Sequence, residues 1–165
     1  NVIGGGDWSE NRLVPDSVRA WSKGKKVLIR NPKSTRPWQH VLEAILGYLT
    51  LAINLNKNDK LHGEAFNFGP RNKSKNNVIS LIKEMKKYWN SVDFEVARKK
   101  YYYESNLLQL NSTKAKKKLK WKCKLNFNEN IKLVSKWYKN FYFKEGDNFL
   151  FSKNQIEDYQ KRIDQ

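Results

Sequence analysis

Three short strings in this chain place an Asn or an Arg beside a tight turn or at the end of a predicted strand. They are residues 1–8 (NVIGGGDW), 36–41 (RPWQHV) and 67–70 (NFGP). A planar guanidinium binds phosphate oxygens two at a time, and an amide can donate to a phosphate or sugar oxygen. The three glycines of the first string allow a ligand to approach the backbone closely. The strings therefore indicate a site for a phosphorylated sugar or a nucleotide.

The groups that would carry out redox chemistry on such a ligand are missing from the sequence. The 165 residues contain neither a Gly-rich nucleotide-binding turn nor a Tyr-x-x-x-Lys pair. The chain begins with Asn rather than Met, which makes its start look like a cut. We therefore expect no catalytic and no cofactor-binding residue in this chain, and we expect the reactive groups to lie upstream.

Composition favours one folded domain without metal, disulfide or membrane span. The length of 165 residues and the hydrophobic share of 39% are enough for a core. Cys123 has no second cysteine, and His40 and His62 add too little for a zinc site, so a reducing cytoplasm is expected. The mainly apolar stretch 44–53 is far shorter than the roughly 20 residues of a membrane helix.

The net charge of +17 allows two interpretations. Lysines are spread over most polar stretches together with many asparagines, which is typical of a general compositional bias. The alternative is a basic nucleic-acid-binding surface at residues 114–124, where lysines surround Trp121. We favour the first interpretation, with nucleic acid as an unlikely partner.

Hydrophobic spacing and turn residues predict alternating strands and helices. The predicted elements are a strand end and glycine turn at 1–8, a helix from 11 to Gly24, a strand at 27–29, an extended piece at 38–41, a mostly buried helix at 42–53, a strand at 64–68, a helix capped by Asn77, an edge strand at 94–96, a helix at 114–119 capped by Ser112 or Thr113, and a helix at 127–142. This order predicts an α/β fold whose few strands extend a larger sheet. Residues 1–143 would form the binding portion and 144–165 a packed polar tail.

With these elements placed, the chain resembles the extended short-chain dehydrogenase/reductase family of nucleotide-sugar enzymes, and within it the branch that acts on CDP-glucose. The resemblance rests on GGDW at 5–8, RLVPD at 12–16, IRNP at 29–32 and RPWQHVLE at 36–43. It continues more thinly through 67–70, 104–110 and 113–115 to 137–138. Tyr103 and Asn111 stand where this branch usually has His and Asp.

The resemblance implies that the chain is the C-terminal, substrate-binding part of such an enzyme, without the NAD-binding Rossmann half. The whole enzyme would be a lyase that uses tightly held NAD to move a hydride from C4 of CDP-glucose to C6, with loss of water across C5 and C6. The product would be CDP-4-keto-6-deoxyglucose, used in lipopolysaccharide O-antigen synthesis. The parent would be a cytoplasmic homodimer, and a related nucleotide-sugar epimerase or dehydratase is the alternative.

The resemblance also assigns substrate contacts to seven positions, each of which could instead be a solvated or turn residue. They are Asn1, Arg12, Leu13, Arg30, Arg36, Asn67 and Glu104. Arg36 would hold the diphosphate and Asn1 and Asn67 would donate amides to phosphate. Arg12 and Leu13 would meet the nucleotide at a helix start, a position that favours anions. Arg30 would approach the base, and Glu104 the ribose or the base. His40 is expected to pack in the core rather than to catalyse.

Overall fold

The computed structural model describes residues 1–70, 76–89, 92–97 and 107–164. Its elements are β1 (Val2–Ile3), α1 (Leu13–Trp21), β2 (Val27–Ile29), β3 (Gln39–His40), α2 (Val41–Leu55), a short 3-10 helix (Asp59–Leu61), α3 (Val78–Lys86), β4 (Phe94–Val96), α4 (Thr113–Leu119), α5 (Phe127–Phe143) and α6 (Asn148–Ile163). This alternation of strands and helices is the α/β order that the sequence predicts.

The strands of the described ranges pair in parallel, two by two. β1 pairs with β3, with Val2 opposite Gln39 and Ile3 opposite His40. β2 pairs with β4 over three residues, which confirms 94–96 as a strand. Parallel strands need crossover connections, and helices α1 and α2 lie in those connections. The β1–β3 pair joins the first two sequence strings side by side.

A single large core holds the β2–β4 pair between helices α1, α3 and α5. Each of these helices contributes apolar residues at helical spacing, as periodicity predicts. The most deeply buried of them, each between 0% and 1% exposed, are Val18, Leu81, Ile82, Met85, Ile131, Val134 and Tyr138. Helix α5 therefore packs on the same core that supports the glycine turn.

Side-chain caps start helices α3 and α5 where the sequence indicates polar breaks. The Asn77 side chain accepts a hydrogen bond from the Ser80 amide at 2.9 Å, as predicted. At the start of α5, Asn126 and Glu129 form a reciprocal capping box. The helix that carries Tyr138 thus has a fixed N-terminus.

The predicted cap of α4 is wrong in its chemistry. Ser112 occupies the N-cap position, but its side chain makes no capping hydrogen bond. The Asn111 side chain accepts instead from the Thr113 amide at 3.0 Å. An Asn side chain reaches two residues along the backbone in this way when the chain turns before the helix.

Helix α2 is not mostly buried, contrary to the prediction. Only Glu43, Ala44 and Gly47 are buried on it. Four apolar side chains on its other side are between 44% and 61% exposed: Ile45, Tyr48, Leu49 and Ile53. The helix is apolar nearly all round, and the described residues supply a packing partner for one side alone. We call these four residues the α2 apolar face.

Residues 64–68 form no strand in the described structure, which corrects another prediction. Phe66 and Phe68 instead pack against a second small core that includes Leu119 and Trp121. The Phe68 and Trp121 rings lie edge to face with centroids 5.2 Å apart. A strand needs a hydrogen-bonded neighbour, and apolar alternation alone does not supply one.

The segment predicted as a packed tail is helix α6 over most of its length. Asp147 caps its start by accepting hydrogen bonds from the amides of Phe149 and Leu150 at 2.6 and 3.1 Å. Helix α6 packs along α5, and Tyr159 is its buried residue. In the ranges that the structure describes, no helix has the length and apolarity needed to cross a membrane.

Candidate functional site

A cavity of about 440 Å³ opens between β1 and Asp7, which flank the glycine turn, the start of α1, the end of β2 and the loop before β3. Five of the seven positions with predicted substrate contacts line it: Asn1, Arg12, Leu13, Arg30 and Arg36. We call it the arginine cavity. Residues separated by up to 35 positions in the sequence thus meet in one concave surface.

Strand pairing brings Asn1 to Arg36. The Asn1 backbone nitrogen donates to the Pro37 carbonyl oxygen at 2.9 Å, and the Gln39 amide donates to the Asn1 carbonyl oxygen at 3.0 Å. These bonds begin the β1–β3 register. The loop that carries Arg36 is therefore held directly beside the residue that starts the glycine turn segment.

Arg36 lies between two cavities. Its side chain is half-buried, and its Nη1 donates to the Thr35 carbonyl oxygen at 2.8 Å. The residue lines the arginine cavity and also a second cavity of about 410 Å³, whose other walls include Trp38, Tyr88 and Lys132. Arg36 is one of three arginines that line the arginine cavity, together with Arg12 and Arg30.

A carboxylate at the rim partly balances this positive charge. Arg12 Nη1 and Asp7 Oδ2 form an ion pair at 3.2 Å, with the Arg12 side chain 61% exposed. Partial burial favours a raised pKa for Asp7, but hydrogen bonds from Ser9 and Arg12 outweigh it and lower the pKa. Asp7 is therefore ionised at neutral pH, and the exposed Arg12 can exchange its partner for an anion.

Helix α1 presents its N-terminal end to the same cavity. Arg12 is its N-cap residue, with extended backbone angles and no capping side-chain hydrogen bond. Leu13, Val14 and Pro15 follow in the cavity lining. The unpaired amides and the dipole at a helix start favour negative charge. Arg12 adds a full positive charge to the partial positive charge of the helix N-terminus.

Asn67 does not join this group. Its side chain is exposed, and it is not among the residues that line either cavity, although Pro70 lines the second one. The prediction that it shares the site with Arg36 came from the family resemblance, and it stays a prediction. Glu104 lies outside the described residues.

His40 is a packing residue, as expected. It is 2% exposed and caps α2, because its Nδ1 accepts a hydrogen bond from the Leu42 amide at 3.3 Å. Burial lowers its pKa to about 4. The imidazole is therefore neutral at physiological pH and fixed in the junction between β3 and α2.

The nucleic-acid interpretation of residues 114–124 conflicts with the structure. Trp121 is 2% exposed, so its ring cannot stack on a base. Lys114 and Lys118 both pair with Glu64, at 3.0 and 2.6 Å. The segment forms the edge of the second small core.

Sequence reasoning missed the residues that shape the rim. Asp7 and Asn11 line the arginine cavity, and Asn11 has a φ of 60°. Asn adopts this left-handed conformation more readily than most residues. The sequence does carry a local signal for Asn11, because an Asn between the glycine run and the first residues of α1 indicates a turn. The pairing of Asp7 with Arg12 follows no periodic pattern, so the sequence does not indicate it.

Solved structures define the class of this fold. The chain matches UDP-glucuronic acid 4-epimerase from Bacillus cereus, in complex with UDP-glucuronic acid and NAD, with a TM-score of 0.72 and 17% identity over 86% of this chain and 44% of that one. UDP-glucose 4-epimerase from Thermotoga maritima, with UDP-glucose, gives a TM-score of 0.59 and 25% identity over 86% and 44%. dTDP-glucose 4,6-dehydratase from Bacillus anthracis, in complex with NAD, gives 0.60 and 18% over 85% and 42%.

The chain therefore has the α/β fold of part of the extended short-chain dehydrogenases/reductases, as predicted. A particular relative is CDP-glucose 4,6-dehydratase of Salmonella typhimurium, 36% identical over 160 residues that cover 96% of this chain and 44% of the relative. This similarity confirms the predicted resemblance. The chain spans less than half the length of that relative. No protein-family model matches the chain.

Proposed function

We propose that this chain is the nucleotide-sugar-binding part of a CDP-glucose 4,6-dehydratase, and that the arginine cavity holds the CDP group. The observation that supports this most directly is the convergence of Asn1, Arg12, Arg30 and Arg36 on one cavity. The identity of 36% to the Salmonella enzyme extends over 160 of the 165 residues.

The proposed roles follow from charge and position. Arg36, half-buried beside Asn1, binds the diphosphate, because a desolvated guanidinium gives strong paired hydrogen bonds to phosphate oxygens. The Asn1 amide donates to the same group. Arg12 and Leu13 contact the nucleotide from the start of α1, and Arg30, which follows β2, approaches the base.

The chemistry of the whole protein requires residues beyond this chain. NAD, bound by other polypeptide, would accept the hydride from C4 of the sugar and return it to C6, and the base that deprotonates the C4 hydroxyl would lie there too. The residues of this chain bind and orient the substrate. A lyase, homodimeric and cytoplasmic, remains our proposal for the parent protein, with a place in O-antigen synthesis.

The binding half of the proposal is tested by titration calorimetry of CDP into the chain and its Arg36→Ala variant. Removing a charged hydrogen-bond donor costs roughly tenfold to hundredfold in affinity. Lys161→Ala is the control, since it removes a positive charge from an exposed ion pair with Asp158, and neither of these residues lines the arginine cavity or the second cavity. Equal affinities of all three proteins for CDP would contradict the proposal.

Nucleotide choice separates the proposal from its alternative, a related epimerase or dehydratase. Two solved neighbours have UDP-sugars bound, so UDP is the informative competitor. We expect CDP to bind at least several-fold more tightly than UDP. Tighter binding of UDP would favour the alternative.

The chain alone, given NAD and CDP-glucose, is expected to form no 4-keto product. Turnover by the chain alone would show that the chemistry lies within these residues.

A further inference from the structure

The glycine turn beside the arginine cavity lies directly under helix α5. A Cβ atom at Gly5 would overlap the Trp137 ring, so this position admits only a residue without a side chain. One residue further along the helix, the Tyr138 hydroxyl donates to the Asp7 carbonyl oxygen at 2.7 Å. Tyr138 is 0% exposed, and burial raises its pKa, so the hydroxyl keeps the proton that it donates.

The Trp8 side chain, which follows the glycine turn, also packs against helix α5. Its ring centroid lies 5.6 Å from that of Tyr138 and 4.7 Å from that of Phe141. Its carbonyl oxygen accepts a hydrogen bond from Arg19 Nη2 at 2.9 Å, which ties the same residue to α1. The backbone at Asp7 and Trp8 is therefore fixed from two helices at once.

Helix α6 orients the ring that covers Gly5. The Trp137 indole nitrogen donates to Ser152 Oγ at 2.8 Å, and that hydroxyl donates in turn to the Asn148 carbonyl oxygen at 2.7 Å. A tryptophan ring has few rotamers in a helix, and one directional hydrogen bond selects among them. Helix α6 therefore holds the Trp137 ring, and that ring in turn contacts the glycine turn at Gly5.

These contacts determine where the rim of the cavity lies. The Asp7 carbonyl oxygen is held by Tyr138, while the Asp7 carboxylate pairs with Arg12 at the cavity rim. We infer that Tyr138, with Trp137 oriented by Ser152, is a positioning residue: it holds the glycine turn in the shape that keeps the Asp7 carboxylate beside Arg12 and so orients the Arg12 guanidinium at the cavity rim for the ligand. This inference rests on the proposed function, in which the ligand is the CDP group.

The test combines a ligand-free measurement with a binding measurement. Tyr138→Phe removes the hydroxyl alone, and Ser152→Ala removes the bond that orients Trp137 without touching the core. Tyr142→Phe is the matched control, because it lies one turn further along α5 and its hydroxyl donates no hydrogen bond within the described residues. Amide hydrogen exchange is measured without ligand, and CDP affinity by calorimetry.

We expect Tyr138→Phe to speed amide exchange at residues 7–12 and to weaken CDP binding, each by about threefold to tenfold, the effect of one lost hydrogen bond. Ser152→Ala should act in the same direction, and exchange within α2 should not change. Wild-type exchange and affinity in Tyr138→Phe, or equal effects in Tyr142→Phe, would overturn the inference. If exchange responds but no variant or wild type binds CDP, the proposed function fails and the positioning of the turn by Tyr138 is retained.

Discussion

The carboxylate of Glu43 accepts a hydrogen bond from the backbone amide of Leu125 at 2.6 Å, across 82 positions of sequence. The neighbouring Lys124 amide donates to the same oxygen at 2.7 Å. Glu43 is 0% exposed and lies in the first turn of α2, whereas Leu125 precedes α5. A buried carboxylate therefore connects the strand and helix beside Arg36 to the helix that supports the glycine turn.

The stability of the chain should depend on pH through Glu43. Burial raises the pKa of Glu43, although the amides of Leu125 and Lys124 act to lower it. The folded state then binds the proton more tightly than the unfolded state, so stability is highest below the ordinary carboxyl pKa and falls as pH rises through the folded-state pKa. Glu43→Gln removes this dependence. The check is urea unfolding of both proteins between pH 4 and 8, and parallel pH profiles would contradict the prediction.

His40 should produce the opposite slope. Its pKa falls from 6.5 to about 4 because the ring is buried, so the unfolded state binds more protons between those values. Stability is complete above pH 6.5 and declines by as much as about 3 kcal/mol as pH falls toward 4. His40→Asn retains a good N-cap and does not titrate. Its stability, measured by urea unfolding, should decline less over this range, and an equal decline would refute the role of His40.

Gly47 should resist substitution because of Phe68. A Cβ at position 47 would lie 2.6 Å from ring atoms of Phe68. We expect Gly47→Ala to destabilise the chain by about 1–3 kcal/mol, although alanine is normally the better helix residue. A double-mutant cycle with Phe68→Ala checks this by thermal unfolding. The two changes should be clearly non-additive, and simple additivity would mean that the ring moves aside without cost.

The α2 apolar face should make the isolated chain self-associate. Leu49 and Tyr48 are 58% and 61% exposed, and contiguous apolar surface of this kind marks a contact that is unfilled. Leu49→Lys should lower the apparent mass measured by light scattering after gel filtration. Ile156→Lys, on α6 and 51% exposed, is the control and should change little. A monomeric wild-type chain would contradict the prediction.

The sequence was sufficient for elements whose pattern is local. The spacing of Val14, Val18 and Trp21 predicts α1, and the strand at 27–29 follows from a short apolar run. The capped start of α3 likewise follows from Asn77. In each case the neighbours along the chain determine the structure, so a pattern of a few residues is enough.

What the sequence did not reveal depends on partners that are distant along the chain. The apolar character of α2 predicts burial, but only the presence of a packing partner decides it. The bond from Tyr138 to Asp7 joins residues 131 positions apart and has no signature in either neighbourhood. The structure places Asn1 and Arg36 in the arginine cavity and Asn67 outside it.

Arg36 lines both the arginine cavity and the second cavity, and this has a consequence for any second anion. One side chain cannot neutralise charge on both of its sides at the same time. If Arg36 holds a diphosphate in the arginine cavity, as proposed, an anion that entered the second cavity beside Lys132 would compete for the same guanidinium. On that proposal, inorganic phosphate in a binding buffer is expected to weaken CDP binding from either cavity.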